Sequence, residues 1–294
     1  MKHLLSDFDW QEADLKALLQ QAAVIKAHPA DYRQALAGKS VAMLFEKPSL
    51  RTRVTFELGA QQLGALVVYL DSSHGALGQR EPVADFAQNL SCWVDAIVAR
   101  TFTQETIEEL AGSGSVPVIN ALSDCFHPCQ GLADMLSLYE VFGKLDGLKL
   151  AYVGDGNNVT HSLMILAKLL GVEMVIVTPP GCEPAADIIA ATGFGVSHSL
   201  AALEGVDAIY TDTWISMGDD KDPEAVLHTF MPYQVNTELM ARSGAKALLH
   251  CLPAYRGKEV TAEVLDGPQS IVLRQAENRL HVQKAVMLKL LKED

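Results

Sequence analysis

The stretch LKLAYVGDG, residues 148–156, indicates that the fold contains a second α/β unit. A short apolar run ends there in a glycine-containing loop, as several earlier runs end in a loop followed by an amphipathic segment. Further runs of this kind follow at 173–179, 207–212 and 246–253. Continuous apolar runs are typical of strands in a parallel sheet whose two faces are covered by helices. The sequence therefore predicts a parallel sheet that starts near residue 148.

The residues before 148 predict a similar first unit. Its strands are expected at the apolar runs 41–45, 65–70, 96–100 and 116–120. Helices are predicted at about 12–27, at about 51–64 and from about residues 83, 104 and 128. A last helix, at about 276–291, is predicted to pack back on the first unit.

The expected fold class is α/β, with two doubly wound parallel-sheet domains joined by helices and an active site in the cleft between them. The first domain is predicted to span 1–127, with the C-terminal helix 276–294 added to it. The second domain is predicted to span 128–275.

Composition and charge narrow the possible partners. The 294 residues are 49% hydrophobic and 20% charged, which is a normal globular mixture. A formal net charge of -13 argues against nucleic acid as the main partner, because a phosphate backbone needs a basic surface. Five cysteines without a CxxC motif favour a reducing compartment. The acidic N-terminus lacks the apolar run of a signal peptide, and we expect a cytoplasmic protein with no membrane span.

Polar residues follow most of the predicted strands. In open parallel sheets, ligands bind outside the carboxyl ends of the strands. In the first unit these ends carry Ser49, Arg51, Thr52, Arg53, Arg100, His127 and Gln130. In the second unit they carry GDGNN (154–158), DTWISMG (212–218) and HCLPAYRG (250–257). These groups are expected to converge on one site.

The stretch FEKPSLRTR, 45–53, places arginines where a helix begins. Cations are unfavourable at this positive end of the helix dipole unless an anion neutralises them. Ser49 is a candidate N-cap. Arg51 and Arg53 lie about 200° apart around a helix, so we expect Arg51 to hold an anion and Arg53 to pair with Glu57. The alternative is that both arginines are solvated surface charges.

Several other motifs have competing interpretations. Arg100 is either an anion ligand or part of a structural ion pair, and His127 is either a polarising group or a packing histidine. GDGNN lacks the third glycine of a dinucleotide fingerprint, which disfavours a nicotinamide cofactor. CFHPC, 125–129, lacks a second ligand pair for zinc, so neither metal nor cofactor is expected. His250 and Cys251 are expected to face opposite sides of a strand, which argues against a Cys–His nucleophile pair.

Taken in order, FEKPSLRTR, HPCQ, GDGNN, DTWISMG and HCLP resemble the aspartate/ornithine carbamoyltransferase family. SMG, HCLP and QAENRLHVQKAVM are most similar to its ornithine branch. The resemblance implies transfer of a carbamoyl group from carbamoyl phosphate to L-ornithine, giving citrulline and phosphate. It also implies a homotrimer, or a multiple of trimers, with the active site at the subunit interface.

The resemblance assigns roles to residues of this chain. The catalytic set is Arg51, Thr52, Arg100, His127, Gln130 and Cys251. Carbamoyl phosphate is expected to contact that set together with Ser49, Leu50, Leu252 and Arg279. Ornithine is expected to contact Asn158, Asp212, Ser216 and Met217.

Two departures from the family pattern stand out. Leu50 replaces a threonine that is common in this motif, so only a backbone contact remains available there. Ala76 stands where a residue such as glutamine often reaches the neighbouring subunit, although His74 is close in sequence. The alternative functions are carbamoyl transfer to N-acylated ornithine or putrescine, a non-catalytic paralogue, and a nicotinamide-dependent oxidoreductase.

Overall fold

The computed structural model describes residues 2–71, 77–216 and 220–292. The chain forms two compact units, Met1–Leu136 with Glu277–Asp294, and Ser137–Ala276. The division falls inside a helix, Pro128–Phe142, and not at the predicted position between 127 and 128. The first turns of this helix belong to the first unit because Gln130 is hydrogen bonded there to Arg279. None of the helices in the described ranges is both long and apolar enough to cross a membrane.

The first unit contains a parallel four-stranded sheet with strand order β2-β1-β3-β4. Its strands are β1 (Ser40–Phe45), β2 (Leu66–Asp71), β3 (Ala96–Arg100) and β4 (Val118–Leu122). Its helices are α1 (Glu12–Ala27), α2 (Leu50–Gln62), α3 (Val83–Ser91), α4 (Gln104–Ser113), the start of α5 (Pro128–Phe142) and most of the C-terminal helix (Val272–Lys292).

The apolar runs that predicted the two central strands, β1 and β3, are buried. Every residue of β3 is buried, and so is every residue of β1 after Ser40. Ala42 and Ile97 pack with helix residues Ala87 and Leu110 in one apolar cluster. Burial of apolar side chains on both faces of the central strands explains why a continuous run forms strand here.

The second unit contains a parallel five-stranded sheet with strand order β7-β6-β5-β8-β9. Its strands are β5 (Lys149–Val153), β6 (Glu173–Val177), β7 (Val196–Ser197), β8 (Ala208–Thr211) and β9 (Ala247–Leu249). Its helices are α6 (Asn158–Leu170), α7 (Ala186–Thr192), α8 (Pro223–Phe230), α9 (Thr237–Ser243) and α10 (Ala262–Leu265).

Two predicted boundaries in this part of the chain were wrong. The predicted strand 246–253 is too long, because the chain leaves the sheet after Leu249 and Leu252 adopts a left-handed φ of 62°. The C-terminal helix, α11, begins at Val272 and not near residue 276. Residues from Glu277 onward belong to the first unit, where Lys289 pairs with Asp14 at 3.1 Å.

The strand orders locate the ligand-binding edge of each sheet. Strand order changes direction between β1 and β3 in the first unit, and between β5 and β8 in the second. Ligands bind at such switch points, outside the carboxyl ends of the strands. The FEKPSLRTR and GDGNN stretches follow β1 and β5, while Arg100 ends β3 and Asp212 follows β8. Each unit therefore presents sequence-predicted site residues at its own switch point.

Candidate active site

Helix α2 begins at Leu50, directly after Ser49. The Ser49 hydroxyl accepts a hydrogen bond from the Thr52 N–H at 3.3 Å, as expected of an N-cap. Thr52 is buried, whereas the Leu50 side chain is 75% exposed. The side chain of Leu50 is therefore directed away from the interior, which leaves its backbone as the group available at the helix start.

The two arginines of this motif have different surroundings. Arg53 lies 3.5 Å from the Glu57 carboxylate and stacks over the Tyr69 ring at 3.7 Å. The predicted pairing of Arg53 with Glu57 is therefore confirmed. Arg51 is close enough to His127 for its charge to lower the pKa of that imidazole. Arg53 thus contacts Glu57 on its own helix and Tyr69 on β2. The charge of Arg51 instead lowers the pKa of His127.

Arg279 on α11 bridges two of the predicted site residues. One guanidinium nitrogen donates to Gln130 Oε1 at 2.7 Å, and another donates to Thr52 Oγ1 at 3.1 Å. The Gln130 amide nitrogen donates in turn to Asp134 Oδ1 at 2.7 Å. All four side chains are buried. This network fixes the orientation of the Gln130 amide, and Asp134 was not predicted from the sequence to be part of it.

His127 lies in a strongly positive environment. Burial lowers the pKa of this imidazole well below its usual value, and the charges of Arg279, Arg100 and Arg51 lower it further. His127 is therefore neutral near neutral pH and can donate one hydrogen bond without adding positive charge. Three guanidinium groups near one neutral imidazole form a site suited to an anion.

Asp212 is the centre of the network at the second switch point. Its carboxylate accepts hydrogen bonds from Asn157 Nδ2 at 2.9 Å, from the Cys251 thiol at 3.0 Å and from the Thr213 N–H at 2.8 Å. Asn157 also caps α6, because its side-chain oxygen accepts from the N–H groups of Val159 and Thr160. The helix start and the carboxylate are thereby joined by one amide side chain.

The HCLP turn is held by a buried histidine–glutamate pair. His250 Nδ1 accepts the Leu252 N–H at 2.9 Å, so the ring proton of the neutral imidazole lies on Nε2, which is 3.1 Å from Glu259 Oε1. Glu259 also accepts the Tyr255 N–H at 2.6 Å. These bonds fix the backbone around Leu252, whose carbonyl is a predicted carbamoyl contact. From the sequence, His250 was considered only as a partner of Cys251, and Glu259 was not predicted to take part.

The prediction that His250 and Cys251 face opposite sides of a strand was wrong. Both residues lie beyond β9, and ligand atoms of Asp212, His250 and Cys251 all fall within 4.8 Å of one another. The thiol is nevertheless bonded to Asp212 and the imidazole to Glu259. The three side chains therefore belong to one polar network in which the Cys251 thiol donates to Asp212.

The remaining predicted residues have varied positions. Asn158 is the first residue of α6, and Ser216 is half-buried after β8. Met217 lies outside the described residues, as do Ala76 and His74. Asn157, which contacts Asp212, was predicted only as part of the GDGNN stretch that follows a strand. Its spacing of one residue before the helix, typical of an N-cap, was the available signal.

Comparisons with known proteins agree with this arrangement of two units. Residues 2–140 match the carbamoyl-P binding domain of aspartate/ornithine carbamoyltransferase, and residues 146–290 match its Asp/Orn binding domain. The chain is 55% identical to an ornithine carbamoyltransferase of Shewanella oneidensis, over 99% of each chain. It is 50% identical to an ornithine carbamoyltransferase of Vibrio sp. (strain 2693), over 99% of this chain and 100% of the relative.

Solved structures show the same fold. The chain superposes on ornithine carbamoyltransferase from Thermus thermophilus with a TM-score of 0.91 at 46% identity, over 99% of each chain. For the enzyme from Pyrococcus furiosus the TM-score is 0.94 at 42% identity, over 100% of this chain and 98% of that one. With both domains matched along nearly the whole length, this chain belongs to the aspartate/ornithine carbamoyltransferase family.

Proposed function

We propose that this protein transfers the carbamoyl group of carbamoyl phosphate to the δ-amino group of L-ornithine, giving L-citrulline and phosphate. The observation that carries the proposal is the group of guanidiniums from Arg51, Arg100 and Arg279 around a neutral, buried His127. Carbamoyl phosphate presents a phosphate and a carbonyl oxygen, and such a group of donors suits both. We infer that the first unit binds this substrate.

The proposed reaction begins when the neutral δ-amino group attacks the carbamoyl carbon. Negative charge develops on the carbonyl oxygen, where Thr52, Arg100 and His127 would donate hydrogen bonds. The bond to the phosphate oxygen then breaks, and the departing phosphate takes the proton from the amine. Positive groups that are fixed before the reaction stabilise the developing charge without having to reorganise. This electrostatic stabilisation is commonly the largest contribution to the rate enhancement of an enzyme.

Ser49, the Leu50 backbone and Arg51 are proposed to hold the phosphate at the start of α2. Their support is the capped helix terminus, whose amides favour an anion. Gln130 and the Leu252 carbonyl are proposed to orient the carbamoyl amide. Gln130 can take this role because its amide is already fixed by Asp134 and Arg279.

The second unit is proposed to bind ornithine. The Asp212 carboxylate is buried among hydrogen-bond donors and is suited to the α-ammonium group. Cys251, bonded to the same carboxylate, would lie beside the amine. Asn158, Ser216 and Met217 are proposed to hold the remaining polar groups of the amino acid, and Met217 lies outside the described residues.

A panel of amines tests the proposal. Product formation from carbamoyl phosphate is measured with L-ornithine, N-acetyl-L-ornithine, putrescine and L-aspartate at matched concentrations. The proposal requires the highest kcat/KM for L-ornithine. A higher kcat/KM for N-acetyl-L-ornithine or putrescine would support carbamoyl transfer but would show that ornithine is not the preferred amine. Binding of a bisubstrate analogue without turnover of any amine would identify a non-catalytic paralogue.

We also propose a cytoplasmic homotrimer, or a multiple of trimers, acting in arginine metabolism. Support for self-association comes from α2, where Leu50, Val54 and Leu58 are exposed at a spacing of four residues and so share one helix face. Leu66 and Val68 on the edge strand β2 are exposed as well. Sedimentation equilibrium tests the proposed trimer. The wild type should sediment as a trimer or a multiple of trimers, and Leu58→Asp as a smaller species. A monomeric wild type would reject the proposed assembly.

A further inference from the structure

Lys221 and Asp155 form an ion pair close to the proposed amino-acid site. Lys221 Nζ lies 2.7 Å from Asp155 Oδ2, and only 13% of the Asp155 side chain is exposed. Asp155 follows β5 at the second switch point, two residues before Asn157. Lys221 precedes Asp222, the N-cap of α8. The pair thus joins two loops that follow adjacent strands of the sheet, β5 and β8.

The backbone of Asp155 is fixed by contacts other than Lys221. The Tyr152 hydroxyl donates to the Asp155 carbonyl at 2.7 Å, and Tyr152 is fully buried. The next residue, Gly156, donates its N–H to the Cys182 carbonyl at 2.9 Å. A side chain at Gly156 would meet the Pro184 backbone nitrogen at 2.2 Å, so the loop is closely packed there. Removing the Lys221 charge should therefore leave the Asp155 backbone in place.

The charges of Asp155 and Asp212 both affect the pKa of the buried Tyr152 hydroxyl. Burial raises the pKa of Tyr152 well above its usual value, and the charges of Asp212 and Asp155 raise it further. Both carboxylates are therefore near Tyr152, but their partners differ. Asp155 is paired with the cation Lys221, whereas Asp212 is bonded to the uncharged groups of Asn157, Cys251 and Thr213.

We propose that Lys221 determines amine specificity by neutralising Asp155. With Asp155 neutralised, Asp212 supplies the negative charge that receives an ammonium group. A site with one such charge suits an amino acid, whose carboxylate offsets one of its two ammonium groups, better than a diamine with no carboxylate. This inference rests on the proposed function, because it concerns the choice of amine in that reaction.

The test compares kcat/KM for L-ornithine with kcat/KM for putrescine in defined variants. In Lys221→Met the ratio should fall about tenfold, because an added unit of negative charge nearby favours the more positive amine by roughly 1.4 kcal/mol or more. Lys221→Arg should keep the wild-type ratio. Adding Asp155→Asn to Lys221→Met should restore the ratio, which a merely structural role for Lys221 would not do.

Lys246→Met is the matched control. Lys246 precedes β9 and lies 3.9 Å from Asp207, which precedes β8. This pair therefore lies at the amino ends of the strands, whereas Asp155 follows the carboxyl end of β5. The Lys246→Met variant should leave the ratio unchanged. An unchanged ratio in Lys221→Met, or a shift that persists in the double variant, would overturn the inference. Absence of ornithine turnover in the wild type would reject the proposed function itself, and the role of Lys221 with it.

Discussion

Arg279 donates a hydrogen bond to Gln130 at 2.7 Å, although 149 residues separate them in sequence. The same guanidinium donates to Thr52, 227 residues away, at 3.1 Å. The C-terminal helix thereby brings a buried cation to the start of α2 and the start of α5. A single side chain from α11 thus connects the predicted phosphate contacts with the predicted carbamoyl contacts.

We first predict that Arg279→Lys weakens carbamoyl-phosphate use. A lysine carries the same charge but cannot donate in the fork that reaches Gln130 and Thr52 together. The KM for carbamoyl phosphate should rise about tenfold or more, which corresponds to the loss of one charge-assisted hydrogen bond. Arg274→Lys is the control, because Arg274 lies on the same helix in a partly exposed pair with Glu140. Equal KM changes in the two variants would contradict the assignment.

A second prediction separates Arg51 from Arg53. Arg51→Ala should abolish turnover and keep the melting temperature, because its charge is directed to the anion site. Arg53→Ala should keep turnover and lose about 1 kcal/mol of stability, from its ion pair with Glu57 and its stacking on Tyr69. Steady-state kinetics and thermal unfolding of both variants decide the matter. The division fails if both variants lose the same stability.

A third prediction concerns the pH dependence set by His127. Its pKa in the folded protein lies well below 6.5, the usual value for histidine. Between the folded pKa and pH 6.5, the unfolded chain therefore binds a proton that the folded protein does not. The stability contributed by neutral His127 is therefore present above pH 6.5 and is lost as pH falls towards the folded pKa. Relative to His127→Gln, the wild type should lose up to about 1.4 kcal/mol of unfolding free energy per pH unit in this window.

Denaturant unfolding of the wild type and His127→Gln at several pH values below 6.5 provides the measurement. A wild type that gains stability relative to the variant as the pH falls would show that His127 becomes protonated in the folded state. That outcome would remove the argument that the anion site uses a neutral imidazole.

A fourth prediction concerns the thiol at Asp212. Cys251→Ala removes a donor at 3.0 Å from this carboxylate, whereas Cys251→Ser keeps one. The KM for L-ornithine should therefore rise more in the alanine variant than in the serine variant. Cys129→Ala is the control, because burial raises the pKa of the Cys129 thiol to about 12 and keeps it inert. Identical effects of alanine and serine at position 251 would contradict a role for the hydrogen bond.

Much of the fold was predictable from apolar runs and their spacing. The opening helix was predicted at its observed bounds, Glu12–Ala27, and both parallel sheets were expected. The short strand β9 was overestimated because Cys251 and Leu252 follow its apolar run with only His250 between. The left-handed φ of Leu252 and the hydrogen bonds of His250 to Leu252 and Glu259 show that the chain turns there.

The candidate site was predictable where local chemistry determined it. Ser49 as an N-cap and the pairing of Arg53 with Glu57 both depend on residues within one or two helical turns. The contacts of Arg279 and the pairing of Lys221 with Asp155 depend on distant parts of the chain. No spacing rule relates such residues, so the sequence alone did not reveal these contacts.

The most direct test of the proposed function is parallel measurement of citrulline and phosphate during turnover of carbamoyl phosphate with L-ornithine. The wild type should release the two products in equal amounts, and Arg51→Ala should release neither above background while melting at the wild-type temperature. Phosphate release without citrulline, or full citrulline formation by Arg51→Ala, would contradict the proposed transfer and its anion site.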